Sequence, residues 1–239
     1  MAAFPHIYEE LHYAKDSFFV FSDFFHFVTG DDFTSLVADG STTIAVSDAV
    51  GGRIALGTAA TDNNEVALRT TAEVFLVSDN KPLRYDCRAQ YTESNTDDAN
   101  VLHGFMSALA ANALVDDGAG VRTTGNYFVF FKVDGGTTWQ VRSRNGTETE
   151  TNDTGITAGG ASFQKFRIEI ENEGDGSSNV TARFFIDDQI CRDATTQRPI
   201  CHTILIASST EMNAGSYVKA GSASAESLVV DYMGGIQKR

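Results

Sequence analysis

Proline, cysteine and tryptophan are scarce in this sequence of 239 residues, which has three, three and one of them respectively. Three cysteines are too few for the disulfide scaffold of a small secreted domain, and their number is odd. Cys191 and Cys201 could pair if a bend brings them together; otherwise we expect free, buried thiols that pack like small apolar side chains. A chain of this length buries enough surface to fold without a disulfide or a metal.

Basic residues are also in short supply, with 18 lysines and arginines against 32 acidic residues and a formal net charge of −14. Such a surface repels nucleic acid and anionic lipid, so we predict neither as a partner. The most apolar stretch, 18–28, is interrupted by Asp23 and His26 and is shorter than the ~20 residues that span a bilayer. Glu9 and Glu10 stand where a signal peptide has basic residues, so we expect no signal peptide. Free thiols suit assembly in a reducing cytoplasm.

Motifs of catalysis and metal binding are missing as well. The sequence has no nucleophile elbow, P-loop or dinucleotide fingerprint in the right context. We therefore predict a protein that is not an enzyme and has no catalytic residue or cofactor. Calcium stays open, because three acidic pairs supply hard oxygen ligands without the register of a dedicated calcium loop. The pairs are Asp97 with Asp98, Asp116 with Asp117 and Asp187 with Asp188, while the five histidines lack metal-ligand spacing: His6, His12, His26, His103 and His202.

Alternating apolar and polar residues between glycine, asparagine and aspartate turns fill the chain from residue 31 onward. The clearest meander joins 127–133, 138–143 and 147–151 through Asp134-Gly135 and Asn145-Gly146, which suit tight hairpins. The alternating threonine and glutamate of its third strand predict an exposed sheet edge. The candidate strands are Thr43–Ser47, Arg53–Gly57, Glu65–Thr70, Glu73–Val77, Leu83–Tyr91, Val101–Ala108, Tyr127–Val133, Thr138–Ser143, Phe163–Glu171, Val180–Ile186, His202–Ala207 and Leu228–Met233. They predict an all-β, antiparallel two-sheet β-sandwich.

Phenylalanine is concentrated at the N-terminus, where eight of the 17 copies fall within the first 33 residues. We divide the chain into a Phe-rich arm or interface segment, 1–30, and a β-sandwich domain, 31–239, with a short helix predicted over 7–14. The run is apolar on both faces and must be covered, either as a central strand of its own domain or by another subunit. The candidate partner-interface residues are Phe18, Phe19, Phe21, Phe24, Phe25 and Phe27.

The stretches 165–171 and 180–189, followed by the closing 225–237, resemble the concanavalin A-like lectin/glucanase jelly-roll proteins. This resemblance covers roughly 31–237 and implies a lectin-like jelly roll. Glucanases of this fold use paired carboxylates, and the nearest match in this chain is Glu169, Glu171 and Glu173 at a period of two. The middle aspartate and the aromatic neighbours of that motif are missing, so we interpret the three as a solvated face.

A narrower resemblance links 104–120 and 130–140 to small virion proteins of tailed bacteriophages. It implies a structural protein of the particle, a capsid decoration or head accessory protein that binds the major capsid protein lattice. Such a protein is located in the virion, is assembled in the host cytoplasm and forms a homo-oligomer.

The alternative is a carbohydrate-binding, lectin-like module of a fibre or tail that recognises host surface glycans. Sugar binding requires exposed aromatic rings, for which Tyr91, Tyr127 and Trp139 are the candidates, although Trp139 fits the core better. A glycosidase is a third hypothesis, which requires two carboxylates facing each other across a cleft.

Overall fold

The computed structural model describes residues 16–37, 42–47, 50–77, 81–159, 162–172, 179–205 and 211–238. The helix predicted over 7–14 and Glu173 lie outside these residues. Within these ranges, no helix has the length and apolar character needed to cross a membrane. In chain order the strands are β1 Ser17–Ser22, β2 Phe33–Val37, β3 Thr43–Val46, β4 Ile54–Gly57, β5 Glu65–Thr70, β6 Phe75–Leu76, β7 Leu83–Thr92, β8 Asn100–Met106, β9 Leu114–Val115, β10 Gly120–Val121, β11 Asn126–Lys132, β12 Thr138–Asn145, β13 Thr149–Thr157, β14 Gln164–Asn172, β15 Asn179–Ile186, β16 Gln189–Ile190, β17 Cys201–Leu205, β18 Glu211–Lys219 and β19 Ser227–Lys238.

Most of these strands form two large antiparallel sheets, while β9 and β10 pair with each other separately. Sheet A has the order β16-β15-β14-β7-β19-β4-β3, with β17 also paired to β15 and β1 to the second half of β19. Sheet B has the order β13-β12-β11-β8-β18-β5-β2, with β6 also paired to β18. The predicted all-β, two-sheet sandwich of lectin-like jelly-roll type is confirmed.

The main core lies between the two sheets and is rich in aromatic rings. Trp139 and Phe130 of sheet B contact Phe166 of sheet A, with ring centroids 4.8 and 5.3 Å apart. Strands β7 and β14 alternate strictly because one face of sheet A packs on this core and the other faces outward. The predicted core position of Trp139 is confirmed.

A second apolar cluster lies on the opposite, outer face of sheet B, where the segment 107–125 covers the strands. Leu109, Leu114 and Val121 from this segment pack with Val129 and Phe131 of β11. Both faces of β8 and β11 are therefore buried, which explains why the apolar run of β11 does not alternate.

The predicted meander is present as β11, β12 and β13, and β13 lies at the edge of sheet B as predicted. The closing stretch 225–237 contains β19, which lies inside sheet A between β7 on one side and β4 and β1 on the other. All three cysteines are free, with Cys87 and Cys191 buried and Cys201 exposed, so Cys191 and Cys201 do not pair.

Candidate functional site

Strand β1 adds the Phe-rich N-terminal run to the edge of sheet A. Its register pairs Phe19 with Ile236 and Phe21 with Gly234. Since side chains alternate along a strand, Phe18 turns inward and stacks on Phe75 with ring centroids 5.5 Å apart, while Phe19 and Phe21 turn outward. Phe19 and Phe21 are consequently 63% and 51% exposed, which is high for phenylalanine.

The pairing registers align these rings with side chains of three neighbouring strands on the outer face of sheet A. One row across the sheet contains Phe19, Ile236, Arg84 and Glu169, and the next contains Phe21, Gly234, Asp86 and Arg167. Tyr232 extends the apolar part, with its ring centroid 5.8 Å from that of Phe21. The outer face thus has an aromatic half on β1 and β19 and a charged half on β7 and β14.

Two adjoining depressions, of about 550 and 390 Å³, lie between these halves and share Arg84 and Ile236. Pro82, Leu83 and Ile170 add apolar lining to the larger depression. We call the combined feature the aromatic groove and define it by Phe19, Phe21, Tyr232, Ile236, Arg84, Asp86, Glu169 and Glu171.

Gly234 forms part of the floor of the aromatic groove, where β1 and β19 come very close. A Cβ atom at this position would lie 2.5 Å from the carbonyl oxygen of Val20 and 2.8 Å from Cα of Phe21. Any larger residue would push β1 away from β19 and displace the two exposed rings. The glycine therefore sets both the pairing of β1 and the open space between Phe21 and Asp86.

The charged half of the face is organised in ion pairs. Arg84 donates to both carboxylate oxygens of Asp86 at 2.5 and 2.8 Å, and these hydrogen bonds raise the pKa of Arg84. Further close pairs on this face are Arg88 with Asp231 at 2.5 Å, Arg167 with Glu169 at 3.1 Å, Arg183 with Glu171 at 2.7 Å and Lys165 with Asp188 at 3.0 Å. These pairs hold the planar guanidinium and carboxylate groups in fixed orientations.

The six phenylalanines predicted as a partner interface do not share one surface. Phe24 is completely buried in the protein's own core against Phe33, so it offers no surface to a partner, and the prediction is corrected for this residue. Phe18 and Phe27 are partly buried against the same core. Only Phe19, Phe21 and Phe25 present exposed rings, and Phe25 lies outside the groove lining.

The predicted glycan-binding aromatics also require correction, since Tyr91, Tyr127 and Trp139 are all buried. The hydroxyl of Tyr127 donates to the carbonyl of Arg122 at 3.0 Å, and Nε1 of Trp139 donates to Gln164 at 2.8 Å. A covered ring cannot stack on a sugar, so the exposed aromatic surface is formed by other residues. The sequence interpretation missed Tyr232, Ile236, Arg84 and Asp86.

The acidic pairs considered for calcium have protein partners. Asp98 accepts a hydrogen bond from Ser222 at 2.6 Å, Asp116 pairs with Lys219, and Asp187 accepts from the amide of Lys165 at 2.9 Å. In the part of the chain that the structure describes, no group of three or more histidine, cysteine, aspartate or glutamate side chains is arranged to hold a metal ion.

No protein-family model and no curated protein matches this chain. Several solved structures are similar to it. The endo-1,3-beta-glucanase from Streptomyces sioyaensis has a TM-score of 0.59 at 12% identity, with 100% of this chain and 99% of that chain covered. The Emp47p carbohydrate recognition domain has a TM-score of 0.56 at 13% identity, with 95% and 99% covered. The legume lectin-like domain from Entamoeba histolytica has a TM-score of 0.53 at 9% identity, with 84% and 88% covered.

At these identities the likeness shows the fold alone, a concanavalin A-like jelly roll. Enzymes occur among the similar structures, since an endo-beta-1,4-glucuronan lyase from Trichoderma reesei accompanies the glucanase. The prediction that the chain is not an enzyme is therefore wrong, because a missing motif does not exclude catalysis in a fold that supports it. Another similar structure is the Emp46p carbohydrate recognition domain in a potassium-bound form. None of the structures named in this section is described as a virion protein.

Proposed function

We propose that this protein is a lectin-like carbohydrate-binding protein and that the aromatic groove is its binding surface. The observation that carries the proposal is the exposure of Phe19, Phe21 and Tyr232 beside oriented arginine and carboxylate groups. The CH faces of a sugar ring pack on aromatic rings, and its hydroxyls hydrogen-bond to charged planar side chains. Both requirements are met within one open groove on sheet A.

The charges of the surface favour a neutral glycan. The cations on this face lie in ion pairs with neighbouring carboxylates, which leaves little free positive charge for a uronate, sulfate or phosphate group. The net charge of −14 adds a general repulsion toward polyanions. A polysaccharide with alternating hydroxyl edges and apolar CH faces complements this surface better than a charged one.

The length of the groove suits an oligosaccharide. Its lining extends along β19 from Lys238 to Tyr232, which is about 20 Å at the rise of a β-strand. This length holds several sugar units in line, and the open surface leaves both ends of a longer polymer free. Glu169 and Glu171 line the same groove, and paired carboxylates can hydrolyse a glycosidic bond. The binding test therefore also measures cleavage of the polysaccharide.

The test is a glycan array of neutral and anionic polysaccharides, followed by titration of the best ligand against three variants. Phe19→Ala with Phe21→Ala and, separately, Tyr232→Ala remove groove rings, while Phe25→Ala removes an exposed ring, 76% exposed, outside the groove. We expect weaker binding in the first two variants and unchanged binding in the third. Release of reducing ends in the same samples reports hydrolysis. Equal affinity of all three variants, or preference for anionic polymers, contradicts the proposal.

The role in a phage particle stays a prediction from sequence resemblance, as do the virion location and the homo-oligomeric state. The rings exposed on β1 are the residues through which a capsid lattice would contact the protein in that case. Particle-binding assays with the same Phe19 and Phe21 variants address this second candidate function.

A further inference from the structure

A buried lysine at the end of β18 lies beneath the segment 107–125, on the outer face of sheet B. Lys219 pairs in register with Glu65 of β5 on one side and with Asn100 of β8 on the other. Its side chain is 0% exposed. Tyr217, two residues earlier on the same face, is buried in the second apolar cluster. The amino group is therefore enclosed between the sheet and the segment that covers it.

Three contacts of this amino group come from one short stretch of the segment. Nζ of Lys219 donates to Oδ1 of Asn112 at 2.9 Å and to the carbonyl of Leu114 at 3.3 Å, and it forms an ion pair with the carboxylate of Asp116. A carboxamide and a carboxylate thus contact the same nitrogen. The first contains an electrophilic carbon, and the second can accept a proton.

The backbone of Asn112 holds its side chain in this position. Its N–H donates to both carboxylate oxygens of Glu65, at 3.0 and 2.9 Å, and its φ of 55° lies in the left-handed region. Because the backbone is fixed on one side and Oδ1 contacts Nζ on the other, the carboxamide is presented to the amine of Lys219. Fixed geometry of this kind lowers the barrier to a reaction between two groups.

The separation of the two groups is close to that of a reactive pair. Oδ1 is 2.9 Å from Nζ, and Cγ of Asn112 is bonded to this oxygen. A rotation of the carboxamide about its own side chain brings Cγ to the about 3–3.5 Å from which a bond can form.

We propose that Lys219 and Asn112 join through an intramolecular amide bond, with Asp116 as the proton carrier. The bond fastens the segment 107–125 covalently to β18. It is formed by groups of this chain alone and lies on the opposite sheet from the aromatic groove, so it is independent of the proposed function.

The reaction is an exchange of one amide nitrogen for another. Asp116 accepts one proton from Lys219, and the neutral amine attacks Cγ of Asn112 to form the Nζ–Cγ bond. Asp116 then donates its proton to Nδ2, the Cγ–Nδ2 bond breaks, and ammonia leaves. Finally Nζ gives its second proton to Asp116, which releases it to solvent.

The products are the new amide, ammonia and one proton, and no oxidant, reductant or cofactor takes part. The side chain of Asp116 is 51% exposed and Asn112 is also exposed, so both the proton and the ammonia can reach water. The buried position of Lys219 protects the amine from competing contacts with solvent.

The test is peptide mapping by mass spectrometry of the folded wild-type protein after denaturation and digestion with trypsin. We expect peptide 89–122, which contains Asn112, to be recovered joined to 193–238. The joined mass should be the sum of the two peptides less one ammonia. The bond after Lys219 should remain uncut, since an acylated lysine is not a trypsin site.

Three variants assign the bond. Asn112→Ala removes the electrophile and Asp116→Asn removes the proton carrier, so both should give separate peptides with cleavage after Lys219. Asp117→Asn, a matched loss of the neighbouring exposed carboxylate, should keep the peptides joined. Circular dichroism of each variant confirms that it has folded, and the wild-type result does not depend on any variant.

Separate peptides from the wild type, cut after Lys219, overturn the proposal. Joined peptides that have lost water rather than ammonia place the bond on Asp116 and overturn the choice of Asn112. Joined peptides in Asp116→Asn overturn the role of Asp116. A succinimide at Asn145, which precedes Gly146, also releases ammonia but would be found in a different peptide and leaves 89–122 unjoined, which counts against the proposal.

Discussion

The outer faces of the two sheets differ sharply. Sheet B is covered by the segment 107–125, which is held by buried polar contacts. The backbone N–H of Asn112 donates to both carboxylate oxygens of Glu65, at 3.0 and 2.9 Å, and the hydroxyl of Tyr217 donates to one of them. Lys219 donates to the side chain of Asn112 at 2.9 Å and pairs with Asp116. Among the residues that the structure describes, none forms such a cover over the aromatic groove of sheet A, where Phe19 and Phe21 are exposed.

The two outer faces therefore differ in what they can offer to a ligand. Covering sheet B adds a second apolar cluster, in which the rings of Tyr127, Phe131 and Tyr217 are buried. Sheet A keeps a wet face, and an open face with both rings and oriented polar groups suits a ligand. The proposed ligand surface is therefore the face that the described residues leave open.

The largest expected effect comes from the same substitution made on each face. Phe131→Ala removes a ring buried beneath the segment 107–125 and should lower the free energy of unfolding by about 3–5 kcal/mol. Phe19→Ala removes an exposed ring and should change it by less than about 0.5 kcal/mol. Urea unfolding of the two variants measures both. Similar losses in the two variants would show that the faces do not differ in burial.

Two histidines buried between the sheets, His103 and His202, should make the free energy of unfolding depend on pH. Burial lowers the pKa of His103 to about 3 and that of His202 to about 4, from an ordinary 6.5. The unfolded chain therefore takes up these protons below pH 6.5, whereas the folded chain does not. Stability should fall as the pH drops from 6.5 toward 4, by about 1.4 kcal/mol per pH unit for each histidine.

His202→Gln provides the control for this prediction. It should reduce the slope by the contribution of one proton, since His202 bonds to Ser143 at 2.8 Å and Asn152 at 2.9 Å and is replaced by an uncharged amide. An unchanged slope would show that His202 is not buried in its neutral form.

A smaller effect is expected from loosening the cover of sheet B. Lys219→Met removes the ammonium that holds Asn112 and Asp116, and should cost about 1–3 kcal/mol of stability. Amide hydrogen exchange should become faster in the segment 107–125 and stay unchanged in β1 and β19. Glycan binding should also stay unchanged, because the groove lies on the other sheet. Loss of binding together with faster exchange would indicate that the two faces are coupled.

Much of the fold is predictable from the sequence because its strands alternate or are joined by glycine turns, as in β11 to β15. Strand β18 was missed, although it lies inside sheet B between β8 and β5. Its small residues obscure the alternation of apolar side chains along the strand. They are required because β18 packs closely against residues that are distant in the sequence. A Cβ atom on Gly215 would meet Leu109 of the cover and would lie 2.9 Å from the carbonyl of Leu68. That constraint depends on tertiary structure.

The aromatic groove could be predicted only in part. The sequence drew attention to Phe19 and Phe21, but the pairing with β19 decides which phenylalanines of the run point outward. Tyr232 follows a register shift after Val230, so strict alternation along β19 does not predict the face of the sheet on which its side chain lies. The remaining groove residues come from β7 and β14, far apart in the chain, and only the sheet order brings them together.

Mapping the ligand by amide hydrogen exchange or NMR shift changes tests the central claim most directly. With a saturating neutral oligosaccharide, we predict protection or shift changes at 19–21, 84–86 and 232–236 on sheet A. The segment 107–125 on sheet B should show none. Changes confined to the segment 107–125, with none on sheet A, would contradict the assignment of the aromatic groove as the binding surface.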